Sequence, residues 1–186
     1  KKINEDIVKE ALKRMKNGKN DAIFDLQSDC LTSGPDILVT HLTNMLRAYV
    51  SHGIVPYFIL VCTLLPLVKD NLADITSSDN YRSIASGSLL LKLVDTVILI
   101  LEGDKLACDQ LQFGFRAKAS TSMCSWRATT VIEHYNQNGS VVYGCAMDLS
   151  KAFDLVEWVN LFNTLIERKV EPVFLRIMLY VYVNQS

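Results

Sequence analysis

The stretch VVYGCAMDLSKAFD, residues 141–154, has the greatest influence on how the chain is interpreted. Its apolar, β-branched run ends at Asp148, which predicts a strand over residues 141–147. A carboxylate exposed in a cleft at the end of that strand could help to hold two hard divalent cations, with the ring of Phe153 beside the bound group. The structural alternative is that Asp148 or Ser150 caps the helix that follows.

The composition limits the class of protein. The chain has 186 residues, of which 49% are hydrophobic and 21% charged, as expected of a globular protein with a core. A net charge of −1 counts against a free-standing nucleic-acid-binding module, although residues 112–127 include basic residues and no acid. Five scattered cysteines without a CxxC pair predict reduced thiols and an intracellular protein.

Hydrophobic periodicity predicts helices and a few strands. The helices are expected over residues 3–16, 37–52, 86–102, 126–137, 155–168 and 172–183, and the strands over 57–68 and 141–147. The apolar run 54–68 is too short to span a bilayer and is expected to be a buried strand, followed by a polar loop at 69–80. Isolated strands among helices favour the α+β class.

Three segments before residue 141 occur in an order that points to one family. They are LLPLVK (64–69), NYRSIASGSLLLKLVDTVIL (80–99) and QFGFRAKAS (112–120). With residues 141–154, which are similar to motif A, they resemble the reverse transcriptase domain of non-LTR (LINE-type) retrotransposons over nearly the whole chain. The resemblance implies a right-hand polymerase fold, helix-rich with a few antiparallel strands. It places a helical N-terminal extension and fingers in 1–56, fingers in 57–140, and the first part of the palm in 141–186.

The resemblance also implies an activity, an RNA-directed DNA polymerase that transfers dNTPs onto a primer 3′-hydroxyl by two-metal chemistry with Mg²⁺, or Mn²⁺ in its place. Asp148 would be the catalytic carboxylate and, with the backbone carbonyl of Leu149, a metal ligand. The nucleotide-binding residues that the resemblance implies are Lys69, Arg82, Leu149 and Phe153. The template-binding residues that it implies are Gln112, Gly114 and Arg116.

The partners implied are an RNA template, a DNA primer and a dNTP, and no membrane is among them. The location implied is the nucleus and the cytoplasm. The chain ends on a polar turn, and we expect the polymerase to continue beyond Ser186. No Asp-Asp dipeptide occurs in these residues, so the second acidic pair of the family is missing and the 186 residues alone are expected to be inactive. Ser83 stands where the family usually has Pro.

Other interpretations stay open at the level of sequence. Lys69 could be a solvated loop residue, Arg82 could cap the next helix or pair with Asp79, and Phe153 could belong to the core. For the chain as a whole, the alternatives are a non-enzymatic nucleic-acid-binding remnant and a decayed retroelement fragment.

Overall fold

The computed structural model describes residues 3–21, 24–72, 74–106, 108–149 and 152–185. The chain forms two compact units, one made of Lys1–Lys105 with Thr164–Ser186, the other of Leu106–Asn163. The described residues combine helices with one two-stranded antiparallel sheet, which confirms the α+β class. The polymerase fold and the three-part division at residues 56 and 140 stay predictions.

The elements follow one another in this order. They are α1 (Glu5–Arg14), α2 (Ser28–Thr32), α3 (Asp36–His52), α4 (Tyr57–Leu60), β1 (Cys62–Val68), β2 (Tyr81–Gly87), α5 (Leu89–Glu102), α6 (Thr121–Gln137), α7 (Trp158–Glu167) and α8 (Pro172–Asn184). Short 3₁₀ turns cover Ser78–Asn80 and Gly103–Leu106.

Helix α1 forms where the sequence predicts it because three local preferences agree. The Asn4 side chain caps it, accepting a hydrogen bond from the Ile7 backbone N–H at 3.0 Å. Acidic residues lie in its first turn and basic residues in its last, which suits the helix dipole. Val8, Ala11 and Leu12 then share one buried face at helical spacing, so the helix packs inward along that stripe.

The core of the first unit is built around α5. Helices α1 and α4 pack against α5, while α3 packs against α1 and α8. Complete burial of an aliphatic or aromatic side chain is worth about 1.5–3 kcal/mol, so these contacts supply most of the stability. The fully buried apolar side chains include Val8, Leu46, Ile59, Leu60, Leu93, Val97, Phe174 and Ile177.

Buried polar groups fix the N-terminus of α5. The Ser88 hydroxyl accepts a hydrogen bond from the Leu91 N–H at 3.1 Å and donates to the Ile59 carbonyl at 3.0 Å. The Asp21 carboxylate accepts from the Leu89 N–H at 3.1 Å. Two of the N–H groups that a helix leaves free at its start are therefore satisfied inside the core.

Several sequence predictions are corrected by the fold. The first residues of the predicted strand 57–68 form the short helix α4, which begins directly after Pro56. Strand β1 is exposed rather than buried, because its one neighbour in the sheet is β2 and no further strand pairs with it among the described residues. Strand β2 covers residues 81–87, although the sequence predicts no element over 81–85 and a helix from residue 86. No strand forms over residues 141–147 in the described structure.

We predict that Ser88→Ala lowers the free energy of unfolding of the first unit by about 1–2 kcal/mol, because it removes a helix cap and leaves the Ile59 carbonyl without its donor. Urea unfolding followed by the amide resonances of α5 measures the change. Ser120→Ala is the matched control, since Ser120 caps α6, a helix without buried residues in the other unit. An equal loss in both variants would contradict the role given to Ser88.

Candidate functional site

The antiparallel hairpin of β1 and β2 carries both predicted phosphate-binding cations. Its register pairs Val68 with Tyr81 and Leu67 with Arg82. The Lys69 N–H donates to the Asn80 carbonyl at 2.8 Å, which extends the pairing by one residue. Because opposed residues share a face and faces alternate along a strand, Lys69 and Arg82 lie diagonally on the same face. The hairpin thus brings together two residues that are both predicted to bind the nucleotide.

The loop between the strands is ordered by its own polar side chains. The Lys69 ammonium donates to the Asp79 carbonyl at 2.6 Å, so Lys69 is held by the loop, not freely solvated. Asn80 is 9% exposed, and its side chain both accepts a hydrogen bond from the Asp70 N–H and donates one to the Asp70 carbonyl. Asn80 has no predicted role, although an Asn that follows a polar loop is a common turn-stabilising residue.

The same loop carries three acids, Asp70, Asp74 and Asp79, against two cations in residues 69–82. The Thr76 hydroxyl and N–H donate to Asp74 at 2.7 and 2.8 Å, and these bonds lower the pKa of its carboxyl below the ordinary value. The Asp70 carboxylate likewise accepts from the Leu72 N–H at 2.8 Å. Two of the three carboxylates are therefore engaged by amides of the loop itself, which partly compensates their charge.

The predicted template-binding segment lies in the second unit and bonds to itself. The Gln112 side chain donates to the Gly114 carbonyl at 3.1 Å, and Arg116 donates to the Gln110 carbonyl at 2.9 Å. Between them, Phe115 has a φ of +57° and is 92% exposed. A positive φ is unusual for a residue with a Cβ, so the turn holds this ring outward at some conformational cost.

Phe153 lies beside that segment. Its ring is 77% exposed and meets the ring of Phe115 edge to face, with centroids 5.9 Å apart and planes at 83°. The contact places Phe153, a predicted nucleotide-binding residue, against the segment that is predicted to bind the template. Phe153 is therefore not a core residue of the second unit, which corrects that alternative.

Asp148 and Leu149 lie in a stretch without regular secondary structure, residues 140–149, and both are exposed. The prediction that Asp148 ends a strand is wrong, because a strand needs a hydrogen-bonded neighbour and β1 and β2 pair only with each other in the described structure. The next described helix after Asp148 begins at Trp158, so Asp148 does not cap it. Ser150, the other proposed cap, falls outside the described residues.

The donors near Asp148 do not suit a pair of magnesium ions. Within the part of the chain that the structure describes, no three His, Cys, Asp or Glu side chains come close enough to hold a metal. One carboxylate and one carbonyl are too few protein ligands to fix two such ions. The described residues thus form no two-metal centre, and the magnesium requirement stays a prediction.

No protein-family model matches the chain, and no curated protein matches it significantly.

No helix in the described ranges is both long and apolar enough to cross a membrane. All five cysteines are free thiols.

We predict that the amide protons of residues 141–149 exchange with solvent much faster than those that pair β1 with β2, because protection from exchange requires a stable hydrogen bond. Residue-resolved hydrogen exchange at neutral pH measures both segments in one sample. Protection over residues 141–147 equal to that in the hairpin would show a paired strand and restore the original prediction.

Proposed function

We propose that the chain is part of an RNA-directed DNA polymerase of the LINE type, and that the hairpin of β1 and β2 binds the triphosphate of an incoming dNTP. In this proposal the polymerase copies an RNA template by extending a primer 3′-hydroxyl. The order of the four sequence segments supports the polymerase, and the placement of Lys69 and Arg82 on one face of the hairpin is the observation that carries it.

The chemistry of the two cations fits a polyphosphate. Arg82 can present two parallel N–H groups to neighbouring phosphate oxygens, and the Lys69 ammonium retains donors beyond the one given to the Asp79 carbonyl. Two cations on one face, spaced as diagonal neighbours in a sheet, can meet successive phosphates of one ligand. The acids of the loop oppose this binding, so the cations must be well placed for it to occur.

The remaining proposed roles belong to the second unit. Asp148 would supply one catalytic carboxylate, Phe153 would lie against the sugar, and Gln112, Gly114 and Arg116 would follow the template. We propose that the 186 residues alone are inactive, because they contain no Asp-Asp dipeptide to supply further acidic ligands.

A second function is favoured by a different observation, the exposed aromatic and basic side chains of the second unit. The Phe115 ring is 92% exposed, the Arg127 guanidinium lies 5.2 Å from the centre of the half-buried Phe113 ring, and no acid occurs between residues 110 and 132. Exposed rings with neighbouring cations are typical of surfaces that stack single-stranded nucleic acid. This second candidate is a non-enzymatic binding module that uses Phe115 and Arg116.

We predict that the chain binds inorganic tripolyphosphate and that Lys69→Ala or Arg82→Ala weakens binding by about tenfold to a hundredfold, the value of a hydrogen bond between charged groups. Isothermal titration calorimetry at low salt measures the dissociation constants.

Lys16→Ala is the matched control, because Lys16 is an exposed lysine outside the hairpin. Equal binding by all variants would contradict the hairpin site. Binding of single-stranded DNA that requires Arg116, without any binding of tripolyphosphate, would favour the second function instead.

A further inference from the structure

We propose that Asn80 is the positioning residue of the hairpin, which holds Lys69 in place relative to Arg82 so that both can meet one triphosphate. The inference rests on the proposed function of the hairpin and adds a residue to which the resemblance gave no role. Asn80 would touch no phosphate itself; it would act through the backbone on either side of Lys69.

Asn80 joins the two ends of the loop. Its Oδ1 accepts from the Asp70 N–H at 3.1 Å, and its Nδ2 donates to the Asp70 carbonyl at 2.8 Å and to the Asp74 carbonyl at 3.4 Å. Its own carbonyl accepts from the Lys69 N–H at 2.8 Å. Lys69 and Asp70 are thus fixed by one residue through three short bonds, close to the end of β1.

The chemistry of this position requires a primary amide. One acceptor and two donors must reach Asp70 and Asp74 from a short side chain, and among the common residues only Asn offers all three at that length. An Asp at this position would face two carbonyl oxygens with a carboxylate, and an Ala would leave the Asp70 N–H without this acceptor. Because Asn80 is almost fully buried, losing these bonds costs more than it would on the surface.

Asn80 lies close to both cations, to Lys69 through the neighbouring Asp79 carbonyl and to Arg82 along the chain. The Lys69 ammonium is held by the carbonyl of Asp79, the residue before Asn80, and Arg82 is the second residue after it. If the side-chain bonds of Asn80 are lost, the Asp79 carbonyl that holds the Lys69 ammonium and the backbone of Lys69 both become more mobile. Arg82, in β2, stays paired opposite Leu67. The expected consequence is that the two cations no longer act as a pair.

Tyr81 provides a control within the same loop. Its hydroxyl donates to the Ile75 carbonyl at 2.8 Å, so Tyr81→Phe also loosens the loop, but the bond that it removes involves neither Lys69 nor Asp70. Asn71→Ala is the control for the Asn→Ala change itself, since Asn71 is exposed in this loop.

The test is titration of the whole chain with inorganic tripolyphosphate, at a temperature where circular dichroism shows every variant folded. We expect Asn80→Ala to weaken binding by about tenfold, with Tyr81→Phe and Asn71→Ala close to the unchanged protein. Hydrogen exchange of the Asp70 amide should rise in Asn80→Ala alone, which reports the lost bond independently of binding. A purely structural role would lower the melting temperature but leave the affinity of the folded variant unchanged.

The outcomes separate the two proposals. If binding depends on Lys69 and Arg82 but not on Asn80, the positioning role is wrong and the hairpin site stands. If Tyr81→Phe weakens binding as much as Asn80→Ala, general order of the loop explains the effect and the positioning role is also wrong. If tripolyphosphate does not bind, or binds independently of Lys69 and Arg82, the function of the hairpin fails and the role of Asn80 fails with it.

Discussion

The hydrogen bond from the Ser88 hydroxyl to the Ile59 carbonyl, buried at the start of α5, is the contact on which the hairpin depends. Ile59 lies in α4, just before β1 begins, and Ser88 directly follows the last residue of β2. The bond therefore closes the base of the hairpin where it enters the core. The same hydroxyl caps α5, so helix formation and hairpin closure are coupled through one side chain.

Hydrogen bonds of Asn80 hold the loop end of the hairpin, as the Ser88 hydroxyl holds its base. The strands themselves are poorly covered: Leu64 is 62% exposed and Leu67 is 51% exposed. An isolated two-stranded ribbon is marginally stable in water, because it lacks a packed face. Here Ser88 fixes the base and Asn80 fixes the tip, and these two polar residues substitute for some of the packing that the strands lack. The geometry of Lys69 and Arg82 follows from that arrangement.

Local rules predicted the helices well and the strands poorly. The α1 cap, charges and apolar stripe all agree in the sequence, and the predicted end of the third helix at residue 52 coincides with the left-handed cap at Gly53. Strand β2, YRSIASG, has no clear alternation and is not predicted, while residues 141–147 have high β-propensity but no partner strand among the described residues. Strand formation depends on a neighbour that local sequence does not reveal. The burial of Glu102 at the end of α5 also depends on contacts that the local sequence does not reveal. Its carboxylate is fully buried and pairs with the Lys105 ammonium at 2.7 Å.

The sequence predicts which cations the candidate site uses but not how they are placed. The resemblance selected Lys69 and Arg82, whereas their common face depends on the register of the hairpin and the hold on Lys69 depends on Asn80. The most direct measurement is a crystal structure of the chain with tripolyphosphate. Our account predicts phosphate oxygens within hydrogen-bonding distance of both the Lys69 ammonium and the Arg82 guanidinium. A ligand bound elsewhere, or contacting only one of these two side chains, would contradict it.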